Sequence, residues 1–349
     1  MKKALIASTA LVLTAGVAAA DVTISGYGRT GLNYYDGPQA DRVTSDEFGN
    51  SWTQEANKTT IQSRLRLNID ASTSTDTGID FGGRIRLQWD QGDEETTVAP
   101  GYLYMSTSGL RMEVGNSNTA FDSAGLLFAS EVGIFDRSFG NSRGNFFAYN
   151  TDGYPSASNF DGDDLLNDYL GIFASYSIDN LTLRGSIVNP DQRYSPSFNF
   201  SKKEVGISVD YTWNDRLELS AAYVSNGAGL DGNDQWFVGA RYAVMDNARI
   251  GLNYIDNGEP GEYVYDAGTN TYSWDQDDLD KTVVLYGDYT MNEWNFEAYI
   301  ANNGDDANER DNAFGLGVNY DLGGARVSGG IQSDYNKDTL ADFGVRFDF

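Results

Sequence analysis

Four arginines stand at alternate positions in two short stretches: Arg64 and Arg66 in Ser63-Arg64-Leu65-Arg66-Leu67, and Arg84 and Arg86 in Arg84-Ile85-Arg86-Leu87. A spacing of two puts each pair on one face of a β-strand. Downstream, the carboxylates Asp122, Glu131 and Asp136 fall in a segment, 117–167, that has no strand periodicity. The chemistry on offer is fixed charge. The chain has no His, which removes a Ser-His-Asp triad, a His general base and a His-ligated zinc. The natural partners of the early loop acids are the arginines of these two strands.

The elements that carry the arginines alternate throughout. In 59–72, Ile61, Leu65, Leu67, Ile69 and Ala71 share one face, and Gln62, Arg64, Arg66, Asn68 and Asp70 the other. In 79–90, Ile79, Phe81, Ile85, Leu87 and Trp89 oppose Asp80, Arg84, Arg86, Gln88 and Asp90. A slip of one residue would put Arg64 and Arg66 on the apolar side. If that side is lipid, each would cost roughly 2–4 kcal/mol near the bilayer midplane. Fourteen further segments read the same way: 22–35, 101–108, 109–116, 168–179, 181–189, 204–213, 216–226, 234–243, 248–257, 280–290, 293–302, 312–321, 325–334 and 339–349. Most have the length that a tilted strand needs to cross a membrane, about 9–11 residues.

Composition agrees with a sheet between two media. There are 22 Tyr, 18 Phe and 6 Trp beside 39 Gly, at a polar mean hydropathy of −0.45. Lys and Arg number 24 against 51 Asp and Glu, a formal net charge of −27, which opposes nucleic-acid binding. At the N-terminus, Lys2 and Lys3, the apolar stretch 4–17 and Ala18-Ala19-Ala20 predict a signal peptide over 1–20, cleaved before Asp21. The exported chain has no Cys, so disulfides play no part. Beyond the leader, no apolar run reaches the ~18 residues of a membrane helix. At the other end, Phe343, Val345, Phe347 and Phe349 alternate with Asp342, Gly344, Arg346 and Asp348. This terminal aromatic strand resembles the sorting signal of outer-membrane β-barrels.

Connection lengths also alternate. Tight turns, such as Asp179-Asn180, Asn214-Asp215, Met291-Asn292 and Leu322-Gly323-Gly324, carry residues that tolerate left-handed backbone. Between them lie long polar loops: 36–58, 91–100, 117–167, 190–203, 227–233, 258–279, 303–311 and 335–338. Seven short turns and eight long loops give sixteen antiparallel strands, with both termini on the short-turn side. A soluble sandwich has no reason to sort loops by parity; a transmembrane barrel with short periplasmic turns does. Sixteen strands enclose an aqueous channel rather than a side-chain core. The inward parity, with Arg29, Arg111, Arg184, Asp210, Glu297, Asp342 and Arg346 among others, suits water. The loop 117–167 holds Leu126, Leu127, Phe128, Ile134, Phe135, Phe139, Phe146 and Phe147, which folding inward against the wall would cover.

With these features together, the chain resembles the general diffusion porins of Gram-negative bacteria, most of all those of photosynthetic and marine alphaproteobacteria (the Rhodobacter-like type). The residues that carry the likeness are Ile24-Ser25-Gly26-Tyr27-Gly28-Arg29, Ser63-Arg64-Leu65-Arg66-Leu67, Arg84-Ile85-Arg86-Leu87-Gln88-Trp89-Asp90, Val114-Gly115-Asn116 and Phe349. It spans 21–349 and lacks the enterobacterial Pro-Glu-Phe-Gly-Gly loop motif. The resemblance implies an integral barrel of the outer membrane, a homotrimer, that passes ions and small hydrophilic solutes without catalysis. It implies that 117–167 narrows the pore. Arg64, Arg66, Arg84 and Arg86 would then form a basic wall opposite Asp122, Glu131 and Asp136, with a transverse field between them. Outward Gly26, Gly28 and Thr30 leave room for a neighbouring barrel.

No cofactor is expected. The acidic runs Asp161-Gly162-Asp163-Asp164, Asp275-Gln276-Asp277-Asp278 and Asp305-Asp306 offer oxygens for loosely bound Ca²⁺, but none has EF-hand spacing, and they read as solvated loop charge. External acid favours mild cation preference, and the lumen arginines oppose it. The alternative function is a substrate-selective porin, for a sugar or an anion, with Tyr27, Tyr35, Phe173 and Tyr299 as the aromatics that would contribute.

Overall fold

In a computed structural model, residues 21–38, 42–45, 51–151, 169–192, 202–266 and 271–349 are described. Residues 1–20, expected as a signal peptide, and the acids Asp152, Asp161, Asp163 and Asp164 lie outside them. In chain order the strands are β1 (Asp21–Tyr35), the hairpin β2 (Arg42–Ser45) and β3 (Ser51–Gln54), β4 (Thr59–Ser74), β5 (Asp80–Asp90), β6 (Thr97–Thr107), β7 (Leu110–Gly115), β8 (Leu170–Ile178), β9 (Leu181–Asn189), β10 (Glu204–Trp213), β11 (Leu217–Ser225), β12 (Gln235–Met245), β13 (Ala248–Asp256), the hairpin β14 (Gly261–Asp266) and β15 (Thr271–Gln276), β16 (Lys281–Met291), β17 (Trp294–Asn303), β18 (Asn312–Asp321), β19 (Arg326–Ser333) and β20 (Thr339–Asp348).

Sixteen of them form one closed antiparallel barrel, each paired with its chain neighbour and β1 joining β4 on one side to β20 on the other. The two hairpins stand apart as two-stranded sheets inside what the sequence reads as plain loops 36–58 and 258–279. Closure leaves the barrel without a free edge, so each of its strands is paired on both sides in a medium that offers the backbone nothing else. The last residue completes the seam: Gly26 N–H donates to the Phe349 carbonyl at 2.8 Å, and Phe349 N–H to the Gly26 carbonyl at 3.0 Å.

Side-chain parity follows the pattern. Ile61, Leu65, Ile85, Leu183, Ile207, Leu252, Leu285, Phe296, Phe314, Leu316, Phe343 and Phe347 all point out and are exposed. The outer surface is therefore an apolar band with Trp213, Tyr242, Tyr289 and Trp294 on it. The tight turns use left-handed backbone at Ser108, Asp179, Asn214, Asp215, Asn292 and Gly323, residues for which φ > 0 costs little or is locally compensated. No helix of the described residues is long and apolar enough to cross a membrane; crossing is by strands.

The wall has one irregularity beside the arginines. Arg84 pairs with Tyr102 and Arg86 with Ala99, so Pro100 and Gly101 together oppose Ile85. This bulge starts β6 earlier than the sequence predicts, at Thr97 rather than residue 101. A proline without an amide to donate is tolerated where the ladder is already broken. Asn116 then donates from its side chain to the Pro100 carbonyl (2.8 Å) and from its backbone to the Gly101 carbonyl (3.1 Å), which ties the start of the long third loop to the bulge.

Candidate functional site

The third loop runs inside the barrel because its apolar side chains find the wall there. Phe121, Leu126 and Leu127 pack with Val224, Phe237 and Ile255 of β11, β12 and β13. Further on, Val132 joins Val284, Tyr286 and Tyr299 of β16 and β17. Phe121, Leu127 and Ile134 are fully buried. Burial on that scale contributes roughly 1.5–3 kcal/mol per side chain. Two carboxylates grip the loop, one at its start and one at Phe147. Glu113 accepts from Arg111 Nε (2.7 Å) and from the backbone and side-chain amides of Asn118. Glu204 accepts from Phe147 N–H (2.7 Å) and Ala228 N–H (2.8 Å).

The tip is a tight hairpin, with Val132 bridged to Arg137. It seats in a recess that wall glycines leave open. Gly133 holds φ +79°, and a Cβ at Gly330 would stand 3.0 Å from its Cα. A Cβ at Gly317 would be as close to Val132. Ile134 N–H donates to Asp342 Oδ1 of β20 at 2.7 Å, and Arg137 donates to Asn33 (2.7 Å) and Gln62 (3.2 Å).

Register then explains Asp136. Arg64 pairs directly with Arg29, Arg29 with Arg346, and Arg346 with Arg326, a row of four arginines across β4, β1, β20 and β19. Like charges directly opposite one another are destabilising on their own. Asp136, at φ +51°, enters this row: Arg326 NH2 lies 2.6 Å from its Oδ1, and Arg346 NH1 (2.9 Å) and Arg29 NH1 (3.7 Å) approach its Oδ2. This corrects the expectation that loop acids pair with the arginines of 59–72 and 79–90. The arginines on Asp136 come from β1, β19 and β20, because the tip crosses to the seam.

The four arginines of β4 and β5 divide into two kinds. Arg64 Nε donates to Asp90 at 2.5 Å and Arg84 Nε to Asp70 at 2.8 Å, both on the neighbouring strand. Arg66 and Arg86 are held by amides, Gln88 Oε1 (2.6 Å) and Asn68 Oδ1 (2.8 Å). Aromatic rings flank them: Tyr27 lies under Arg66 (5.3 Å) and Arg346 (4.2 Å), and Tyr149 of the returning loop under Arg86 (4.1 Å). Arg86 NH1 also donates to Thr151 at 3.0 Å.

The loop acids Asp122 and Glu131 make no ion pair within 4 Å among the described residues. Asp122 is pushed up to about 6 by burial, against the pull of nearby Arg86. Glu131 is pushed up to about 7 by burial; a hydrogen bond from Asn141 Nδ2 (3.0 Å) lowers it, the charge of Asp136 raises it, and Arg29 lowers it. Glu131 borders a cavity of about 130 Å³ between loop and wall, lined also by Arg241, Arg249, Asp288 and Glu297.

Sequence reasoning missed Arg29, Arg326 and Arg346 as one cluster, and Tyr149 and Thr151 altogether. Parity alone placed Arg29 and Arg346 in the lumen; only barrel closure lines them up. The aromatics Phe173 and Tyr299 form no ladder along the lumen, being 5% and 4% exposed, with Tyr299 donating to Gln332. On the outer face, Phe347 covers Gly28, so part of that small-residue stripe is already filled. Among the described residues no three carboxylates converge to hold a metal ion.

Comparison with known proteins gives a consistent result. A family model described as Gram-negative porin matches residues 7–340. A porin of Fuscovulum blasticum is 38% identical over 332 residues, which is 94% of this chain and all of that protein. Solved structures of substituted forms of the Rhodopseudomonas blastica porin superpose with a TM-score of 0.78 at 35% and 36% identity, again over 94% of this chain and all of theirs. The closed sixteen-stranded barrel, its inward charges and these likenesses over nearly the whole length agree, and the chain belongs to the Gram-negative porin family.

Proposed function

We propose that this outer-membrane porin filters passive diffusion through a charged constriction made by the loop 117–167 and the wall of β4 and β5. The observation that carries the reading is an unbalanced opposition. Among the described residues, Arg66 and Arg86 have no carboxylate partner on the wall, and Asp122 and Glu131 make no ion pair, though the charges of Arg86 and Arg29 reach them. Separated charges that are not paired off hold a transverse field across water. Ions and polar solutes with dipoles align in it; apolar solutes must break ordered water. The site then needs no cofactor and performs no bond-making step. Asp136, with its three arginines, acts mainly as the latch that fixes where the loop crosses.

A trimer fits the outer surface near the seam. Gly26, Thr30 and Ser63 face out there, and the two hydroxyls bond to each other at 2.8 Å. Small and hydroxyl groups suit a packed protein neighbour better than acyl chains. A selective sugar porin is disfavoured by the burial of Phe173 and Tyr299. The test is single-channel current in planar bilayers under a KCl gradient. Ohmic conductance appearing in steps of three supports both readings. Folded barrels that conduct nothing would overturn the channel; single steps would overturn the trimer alone.

A further inference from the structure

An amide partner fixes a guanidinium in place without cancelling its charge. That distinction separates Arg66 and Arg86 from Arg64 and Arg84, whose partners are Asp90 and Asp70. Arg66 stands opposite Gln88 and Arg86 opposite Asn68, so the two are diagonal neighbours on the inward face of adjacent strands. Diagonal neighbours are roughly 7–8 Å apart, within joint reach of one small ion. Gln88 is itself held, donating to Asp90 at 2.7 Å, so the support of Arg66 is rigid. Tyr27 and Tyr149 cover a face of each guanidinium. Arg86 spends NH1 on Thr151, while its NH2 and both terminal nitrogens of Arg66 have no acceptor among the described residues. Preoriented forks with free N–H groups match the geometry of a tetrahedral or carboxylate oxyanion.

We propose that Arg66 and Arg86 form a coordination station for divalent oxyanions in transit, a use that rests on the channel reading above. Each guanidinium presents N–H groups to a different pair of oxygens. The charge of Arg86 reaches Asp122, whose own negative charge offsets part of the attraction and aids release. Monovalent chloride cannot span the two forks and passes without residence.

Sulfate is the probe, since it stays divalent across the useful pH range. Single-channel current is recorded in KCl with sulfate added to one side at constant ionic strength. The expected result is a saturable fall in chloride-carried current. Three variants read the cause. Arg66→Gln with Arg86→Gln should raise the half-saturating concentration at least tenfold. Asn68→Asp keeps both arginines but gives Arg86 the carboxylate its neighbours have, and should raise it severalfold. Arg66→Lys with Arg86→Lys keeps the charge and loses the forks, and should weaken saturation; unchanged saturation there would overturn coordination by guanidinium. Ohmic chloride conductance with no saturation by sulfate in the unsubstituted protein overturns the station alone. Folded barrels without any chloride conductance overturn the channel reading and the station with it.

Discussion

Replacing Asp136 by Asn tests the latch directly. Asn has nearly the same shape and tolerates the left-handed backbone at this position, φ +51°, so the hairpin tip is not strained by the change. What is lost is one negative charge between three arginines. Two of the contacts are hydrogen bonds, at 2.6 and 2.9 Å, and the third is an ion pair at 3.7 Å. The Asp136 side chain is 32% exposed, and its partners 13%, 35% and 22%. A charged hydrogen bond contributes about 1.5–3 kcal/mol and an exposed ion pair about 0.2–1 kcal/mol, so partial screening brings the latch to roughly 2–4 kcal/mol. The net local charge also rises by one. At about 8 Å in water-like dielectric, one charge shifts a passing monovalent ion by about 0.5 kcal/mol. Cations lose that and anions gain it, so the permeability ratio moves toward anions by about fivefold. The assay is the reversal potential under a KCl gradient, with current noise recorded in parallel. Asp136→Asn should shift the potential toward chloride and add loop noise. A quiet channel with an unchanged potential would refute both the latch and the placement of Asp136 beside the ion path.

Other outcomes follow from the same geometry. Asp122 and Glu131 sit near 6 and 7, so both are charged above pH 8 and neutral near pH 5; reversal potentials should move toward anions as pH falls through that window, and a flat profile would exclude these carboxylates from the filter. Glu204→Ala strips the acceptor from the buried amide of Phe147, at about 1–3 kcal/mol, and from the half-buried amide of Ala228, at less; the returning arm of the loop should loosen, read as faster proteolysis within the pore. Leu65→Arg puts on the lipid face the residue type that both flanking positions carry inward, and should lower barrel stability in urea by roughly 2–4 kcal/mol, whereas Leu65→Met should not.

Strand parity made most of the barrel legible from residues alone. The segments 181–189, 204–213 and 312–321 coincide with β9, β10 and β18. Lipid outside and water inside enforce alternation at every step, so each strand announces its own register. The hairpins 42–54 and 261–276 escaped, because a two-stranded ribbon in a loop has no buried face to impose a pattern. Glu113 and Glu204 also gave no sign of their role, since a carboxylate that caps distant amides looks like any other acid.

The sequence by itself determined the class: the strands, which face meets lipid, a wet lumen, and a long apolar-bearing loop that had to find cover. Those properties are local, fixed by periodicity and by solvent. Tertiary structure alone decided which charges meet. Arg64, Arg29, Arg346 and Arg326 are far apart in the chain and become one row only when β1 closes against both β4 and β20. The recess at Gly317 and Gly330 then decides where the loop tip lands, and so that Asp136 enters this row beside Arg29, Arg346 and Arg326, while Arg66 and Arg86 are held by amides and keep their charge. Coulombic partnership depends on distance in space, which closure of the barrel sets and residue order does not.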